Sequence, residues 1–172
     1  MNTSGGPLAG ATIQVYTETG VYKAQTTTDA LGAYSVTLPE GTYRIRALKL
    51  PSYLVTYLGG PTFATAEIIT LNANTTRDMT LVGRFTISGV VSTSGGPLVG
   101  ATIQVYVADT AQYKGAATTN ASGAYTLTLT EGSYRVRSFR LPDFLVQYVG
   151  GSSFGTASVI TLDANTALDI VR

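Results

Sequence analysis

The 172-residue sequence contains no cysteine, no histidine and no tryptophan, and only 12% of its residues are charged. Without cysteine the chain cannot form a disulfide, a thiolate nucleophile or a cysteine metal site. The lack of histidine removes the commonest general base and the commonest transition-metal ligand. The ten acidic residues are scattered and form no cluster suited to acid–base catalysis or Ca²⁺ binding. We therefore expect no enzymatic activity, no metal site and no cofactor.

The charge balance also excludes two classes of partner. The formal net charge is +1, which is too small for the electrostatic binding of duplex nucleic acid or of an anionic membrane surface. No apolar run approaches the roughly 18 residues that are needed to cross a bilayer. We expect neither nucleic-acid binding nor membrane insertion.

An internal repeat organises the chain. Residues 4–16 read SGGPLAGATIQVY, and residues 94–106 read SGGPLVGATIQVY. The register resumes after one inserted residue, so that EGTYRIR at 40–46 matches EGSYRVR at 131–137. The repeat predicts two homologous domains, one at residues 1–82 and one at 83–172.

Within each copy the apolar residues alternate with polar ones. Ile13 and Val15 are followed by runs such as Tyr34, Val36 and Leu38, each alternating with Thr, Ser or Gln. Gly, Asn, Asp and Pro separate these runs, and Asp29 and Asn120 occupy the same turn position in the two copies, where either can form an Asx turn. Short alternating runs between turns predict an all-β fold of two tandem β-sandwiches.

The first copy lacks its N-terminal strand. In the second copy residues 85–91 precede Thr93, whereas only Met1 and Asn2 precede the equivalent Thr3. In one interpretation the sequence is a piece of a longer array. In the other, the first sandwich has an open edge that a strand of another copy fills by β-augmentation. The predicted assembly strands are the open edge of the first copy (Ala11, Ile13, Val15) and the terminal strand of the second (Ala167, Asp169, Val171).

Two further sets of side chains are candidates for ligand binding. Arg44 and Arg46 in the first copy, and Arg135 and Arg137 in the second, form a predicted basic face. This face suits a carboxylate or an anionic polysaccharide, or else it is a solvated face whose arginines pair with nearby carboxylates. The aromatic candidates suggest sugar stacking, but their apolar neighbours also fit a core or an interface between modules; they are Tyr53, Tyr57, Phe63, Phe144, Tyr148 and Phe154.

Several segments together resemble a known family. They are ISGVV at 87–91, GPLVGATI at 96–103, TNASGAY at 119–125 and EGSYRV at 131–136, and the first copy adds YLVTYLGG at 53–60. This combination is similar to the carboxypeptidase regulatory-like domains, which have a transthyretin-like Greek-key sandwich.

The resemblance implies a protein that is secreted or displayed at the cell surface. There it would act as a spacer, an adhesin or an assembly unit, with copies of itself or neighbouring repeats as partners. A carbohydrate-binding module with a polysaccharide partner is the alternative. Related pilin sandwiches often carry an isopeptide bond from a lysine on the first strand. Since residues 84–91 contain no lysine, we expect no such bond.

Overall fold

The computed structural model describes all 172 residues and divides into two compact units, unit 1 (Met1–Gly83) and unit 2 (Arg84–Arg172). Both units consist of β strands, turns and irregular segments. The all-β prediction is therefore confirmed. The structure contains no helix capable of spanning a membrane.

Unit 1 is built on one antiparallel sheet of five strands. Its order is β4-β3-β5-β6, and β7 also pairs with β5. A short β1–β2 hairpin stands apart from this sheet. The strands are β1 (Asn2–Thr3), β2 (Gly6–Pro7), β3 (Thr12–Thr17), β4 (Tyr22–Thr27), β5 (Gly41–Lys49), β6 (Tyr53–Tyr57) and β7 (Ile69–Leu71).

Unit 2 repeats that sheet and adds a second one. The first sheet has the order β11-β10-β13-β14, with β15 on β13. In the second sheet β8 is central, between β12 and β16, and it also pairs with β9 and β17. The strands are β8 (Arg84–Thr93), β9 (Gly96–Pro97), β10 (Thr102–Val107), β11 (Tyr113–Thr118), β12 (Ala124–Thr130), β13 (Gly132–Arg140), β14 (Phe144–Tyr148), β15 (Ile160–Leu162), β16 (Thr166–Ala167) and β17 (Ile170–Val171).

The alternation in the sequence produces the core. Successive side chains of a strand point to opposite faces, so Ile103 and Val105 of β10 face inward and are fully buried. They share one apolar core with Ile87 and Val91 of the second sheet. Unit 2 is therefore a complete β-sandwich.

A turn of the same type precedes β12 in unit 2 and the equivalent residues 33–39 in unit 1. The Asp29 carboxylate accepts hydrogen bonds from the backbone N–H groups of Leu31 and Ala33 at 2.8 and 2.9 Å. The Asn120 side chain does the same for Ser122 and Ala124, both at 3.0 Å. The predicted Asx turns are confirmed.

The predicted loss of the N-terminal strand of unit 1 is also confirmed. The strand β8 has ten residues, whereas its counterpart β1 has two. Unit 1 is consequently a sandwich in which the second sheet has no central strand.

The prediction of an open edge near Ala11, Ile13 and Val15 is wrong. The strand β3 lies between β4 and β5 and pairs with both along its length. All three side chains are 0% exposed. Alternation of apolar residues is the same in a central and an edge strand, so it could not locate the edge.

Candidate functional site

Unit 1 has an open groove where unit 2 holds β8. In unit 2, β12 pairs with β8 in antiparallel fashion, and β16 and β17 pair with its other side in parallel. The equivalent walls of unit 1 are residues 33–39 and 74–80. Neither wall forms a strand. The only β-bridge on either wall joins Thr80 of the second wall to Asn2. Both walls therefore lack the strand that would pair with them.

Met1 marks one end of this groove. Its amino group donates to the carbonyl of Gly32 at 2.8 Å. In unit 2 the backbone N–H of Val91 donates to the carbonyl of Gly123 at the same distance. Met1 thus occupies the position of Val91, and the groove corresponds to the part of β8 that precedes Val91.

The floor of the groove is apolar. The groove has a volume of about 720 Å³. Its floor is formed by side chains of the first sheet, which are Val15, Tyr43, Ile45, Ile69 and Leu71. An extended segment buried there would remove apolar surface from water, which is the main favourable contribution to folding and association.

One wall of the groove is more exposed than its counterpart. Tyr34 and Leu38 are half-buried in unit 1, whereas Tyr125 and Leu129 of β12 are only 4% and 7% exposed. The central strand accounts for this difference, since β12 pairs with it from Ala124 to Thr130.

The two walls nevertheless keep the spacing that they have in unit 2. The Tyr34 hydroxyl donates to the carbonyl of Arg77 at 2.7 Å, as the Tyr125 hydroxyl donates to that of Leu168 at 2.7 Å. Burial is the main cause that raises the pKa of the Tyr34 hydroxyl, and the nearby Asp78 adds to it while Arg77 opposes it. Burial and then Asp169 raise the pKa of Tyr125. The groove is therefore preformed.

Two polar side chains whose hydrogen-bonding role the sequence analysis did not identify lie on the second wall. In unit 2 the side-chain oxygen of Asn165 accepts from the backbone N–H of Thr86 at 3.0 Å. The Asp169 carboxylate accepts from the N–H of Val90 at 2.8 Å. Because these acceptors bond to the backbone of a strand, only the position of β8 reveals their role.

Their equivalents in unit 1 line the open groove. They are Asn74 and Asp78, and neither side chain has a hydrogen-bond partner in the structure. The signal in the sequence was an asparagine followed four residues later by an aspartate, which occurs at this place in both copies.

The predicted terminal assembly strand is paired within unit 2. Ala167 lies opposite Ser88, and Val171 lies opposite Ser92. Asp169 bonds to β8 through its side chain, as described above. This segment completes its own sandwich on one side and leaves its other side unpaired.

The arginines of the predicted basic face hold loops in place. The Arg44 guanidinium donates to the carbonyls of Phe63, Ala64 and Ala66. Arg135 makes the same three contacts, with Phe154, Gly155 and Ala157. None of these contacts involves a carboxylate.

The second arginine of each pair bonds to a neighbouring strand. Arg46 donates to the side chain of Gln14 at 2.8 Å, and Arg137 donates to that of Gln104 at 2.9 Å. The carboxylate pairing that was considered for this face is therefore absent at all four arginines, whose partners are backbone carbonyls, side-chain amides, aromatic rings and the Tyr57 hydroxyl.

Four of the six aromatic candidates belong to rows of rings. In unit 1 the row is Tyr22, Tyr16, Phe63 and Tyr57, whose centroids are successively 5.8, 6.0 and 6.2 Å apart. Tyr113, Tyr106, Phe154 and Tyr148 form the same row in unit 2, at 5.7, 6.2 and 6.3 Å. The remaining two, Tyr53 and Phe144, pack against the cores.

No three acidic side chains come together as a metal site would require. The most distinctive site is therefore the groove of unit 1, which presents an apolar floor, unpaired backbone on two walls and two free side-chain acceptors. In other proteins, extended peptides bind at exposed sheet edges by adding a strand.

The family model for the carboxypeptidase regulatory-like domain matches residues 1–82. No curated protein matches the chain. Among solved structures the chain is similar to the Bacillus anthracis TIE protein, with 15% identity, a TM-score of 0.43 and coverage of 96% of this chain and 30% of that one.

The chain is also similar to two other solved structures. The shaft pilin SpaA from Lactobacillus rhamnosus GG is 14% identical, with a TM-score of 0.40 and coverage of 96% of this chain and 88% of the pilin. Chlorocatechol 1,2-dioxygenase from Pseudomonas putida is 15% identical, with a TM-score of 0.37 and coverage of 52% of this chain and 60% of the enzyme. This chain spans only part of the length of the TIE protein and of the dioxygenase.

Proposed function

We propose that the chain is a non-catalytic structural module of an extracellular or cell-surface protein. The match of residues 1–82 to the carboxypeptidase regulatory-like domain supports this proposal. A neighbouring repeat supplies the β strand that completes unit 1. Strand pairing in the groove then joins successive modules.

The observation that carries this proposal is the preformed groove. Its walls are held at the spacing of a filled sandwich by the bond from Tyr34 to Arg77. Buried backbone groups without partners are unfavourable, and an added strand would pair with the backbone of both walls as it buries them. Full burial of one Ile side chain of the added strand in the floor would stabilise the complex by about 1.5–3 kcal/mol.

The test mixes two proteins, a strand donor and a strand acceptor, that can form a complex in only one way. The acceptor is the unaltered chain. In the donor, a second copy of the sequence of residues 84–90 precedes Met1 and fills the groove, and a third copy follows Arg172 on a flexible linker. We expect a one-to-one complex, seen as a sum of the two masses in size-exclusion chromatography with light scattering.

The matched control is a donor whose linked strand carries Ile87→Asp. It should form no complex, because a carboxylate would have to be buried in the apolar floor. If the unaltered donor and the acceptor remain separate at high concentration, the groove does not accept a strand and the proposal is wrong.

A second candidate function is polysaccharide binding, which the rows of aromatic rings favour. Amphipathic aromatic side chains supply a large contact area for ligands. Tyr57 and Tyr148 end the rows of the two units. Glycan-array binding that is lost in the Tyr57→Ala, Tyr148→Ala double variant, without loss of folding, would support it. Absence of binding to all glycans would exclude it.

A further inference from the structure

The outer face of the first sheet of unit 1 carries a row of side chains from three strands. Gln14 of β3 lies opposite Arg46 of β5, and Arg46 lies opposite Tyr57 of β6. Residues that lie directly opposite on neighbouring strands share one face of the sheet. Their chain neighbours Val15 and Ile45 are buried in the core, so this set, the outer row, points away from the core.

Unit 2 has an equivalent outer row on its own first sheet. Gln104 lies opposite Arg137, and Arg137 lies opposite Tyr148. The other arginine of each face holds a loop through three carbonyl groups, as described above. Arg46 and Arg137 are therefore the guanidinium groups that remain for a ligand.

The amide oxygen of each outer row already has its donors. Gln14 Oε1 accepts hydrogen bonds from Arg46 Nε at 2.8 Å and from the Tyr16 hydroxyl at 3.0 Å. Gln104 Oε1 accepts from Arg137 Nε and Nη2 at 2.9 and 2.7 Å. Because a guanidinium group donates and never accepts, the amide oxygen faces the arginine and the amide N–H groups face the edge strand.

These amide N–H groups leave each outer row with a donor that has no acceptor. In unit 1 Gln14 Nε2 donates to Gln25 Oε1 at 3.3 Å, and the Nε2 group of the exposed Gln25 has no partner in the structure. In unit 2 Ala116 stands opposite Gln104, and Gln104 Nε2 itself has no partner. Both rows therefore favour a ligand that is rich in hydrogen-bond acceptors.

The arginine of each outer row carries a charge that no carboxylate balances. The ion pairs of the chain involve Arg77 and Arg140 instead. Arg46 Nη2 and Arg137 Nη1 have no hydrogen-bond partner, and neither atom is buried. A guanidinium group with free N–H groups binds a carboxylate through charge-assisted hydrogen bonds.

Aromatic rings border the same guanidinium groups. Arg46 lies over the Tyr16 ring at 5.1 Å from its centroid, and Arg137 lies over the Tyr106 ring at 5.0 Å. A guanidinium that stacks on a ring keeps its edge, which carries the N–H groups, free for a planar anion. The tyrosine at the end of each outer row adds amphipathic ring surface beside this edge.

A carboxylate attached to a sugar ring matches these features together. The carboxylate accepts from the guanidinium, the sugar hydroxyl groups accept from the amide, and the C–H groups of the sugar pack against the tyrosine ring. A neutral glycan lacks the charge, and an acidic polypeptide lacks the sugar ring.

We propose that the outer row of each unit binds an acidic polysaccharide built from uronic acid residues. Arg46 and Arg137 bind the carboxylate groups, and the amide N–H groups of Gln25 and Gln104 donate to sugar hydroxyl groups. This inference rests on polysaccharide binding, the second candidate function above, and assigns to it a ligand class and the residues that bind it.

The experiment titrates the full chain with an oligogalacturonate and follows the arginine Nε–H and glutamine side-chain N–H signals by NMR. We expect saturable binding that shifts the signals of Arg46 and Arg137 and weakens as salt is added. The methyl ester of the same oligosaccharide keeps the sugar rings without the charge and should bind at least about tenfold more weakly. Polyglutamate has carboxylates without sugar rings and should also bind at least about tenfold more weakly.

Variants of the chain test the residues. The Arg46→Gln, Arg137→Gln double variant should bind the oligogalacturonate at least about tenfold more weakly. The matched control is the Arg77→Gln, Arg140→Gln double variant, which removes the same number of charges from arginines that pair with carboxylates and should bind as the unaltered chain does. The Arg46→Lys, Arg137→Lys variant keeps the charge without the planar fork, so its affinity should be intermediate. Gln25→Ala, at an exposed position, should weaken binding at unit 1 alone.

The outcomes separate this inference from the proposed functions. Equal affinity for the oligogalacturonate and its methyl ester, or for polyglutamate, would overturn the inference, as would unchanged binding by a folded Arg46→Gln, Arg137→Gln variant. If that variant does not fold, the comparison of the three ligands on the unaltered chain still decides. Binding of neutral glycans alone would leave the second candidate function without the acidic ligand. If no glycan binds, both are wrong, while strand pairing in the groove is decided by the donor and acceptor mixture.

Discussion

Unit 1 and unit 2 have the same strands in the first sheet, but only unit 2 has a central strand in the second. In unit 2, Tyr125 and Leu129 are buried against the core. Their counterparts Tyr34 and Leu38 stay half-buried. The bond from the tyrosine hydroxyl to the opposite wall is nevertheless 2.7 Å long in both units. The hydrogen bond between the two walls therefore sets their spacing in both units, whereas the central strand buries them.

The largest effect on the difference between the two units is expected when the central strand is weakened. Ile87→Ala should destabilise unit 2 by about 2–5 kcal/mol, because it leaves a cavity in a fully packed core. Urea unfolding followed by NMR signals from each unit would measure the loss.

A matched pair controls for the general cost of shortening a core isoleucine. Ile13→Ala and Ile103→Ala alter equivalent, fully buried positions of β3 and β10 and should destabilise their own units by similar amounts. A loss below about 1 kcal/mol for Ile87→Ala would mean that β8 does not supply the core contacts described here.

The stability of the two units should also depend on pH, with a smaller effect. Burial raises the pKa of Tyr125 above its ordinary value of 10.0 and also raises that of Tyr34. The protonated phenol is therefore favoured in the folded state. Its contribution is fully present below pH 10 and is lost as the pH rises toward the folded-state pKa. Unit 2 should therefore lose stability through this group as the pH rises above about 10.

The Tyr125→Phe variant isolates that contribution, because it has no hydroxyl to titrate. Its unit 2 should lose less stability over the same pH range than the unaltered unit does, as measured by urea unfolding. Tyr34→Phe should change unit 1 in the same direction. Identical pH profiles for the Tyr125→Phe variant and the unaltered chain would contradict the prediction.

The smallest effect is expected at the acidic side chains of the second wall. Asp169→Ala removes the acceptor of the Val90 N–H and should cost unit 2 up to about 1 kcal/mol, since the carboxylate is exposed. Asp78→Ala removes no hydrogen bond and should leave unit 1 unchanged within about 0.5 kcal/mol. Equal losses in both units, measured by thermal unfolding, would show that Asp78 has a partner of its own.

Much of the fold followed from the repeat and from the alternation of apolar residues. Both signals are local, and the absence of a counterpart to residues 85–91 correctly predicted the incomplete sandwich. The order of strands in a sheet is a property of tertiary pairing. For that reason Ala11, Ile13 and Val15, which have the pattern of any half-buried strand, were wrongly assigned to an edge.

The site was harder to predict for a related reason. The roles of Asn74 and Asp78 depend on the backbone of a strand that unit 1 does not contain, so the repeated pair was visible in the sequence but its function was not. The loop contacts of Arg44 depend on the direction of three carbonyls. Residue type suggested anion binding there, but only the backbone geometry shows how the guanidinium is used.

The groove of unit 1 has a consequence for stoichiometry. Residues 1–172 contain two places for a strand of the β8 type and one such strand. An exchange of β8 between two copies would therefore move the vacancy from one unit to another without reducing the number of vacancies, and it would gain no buried surface.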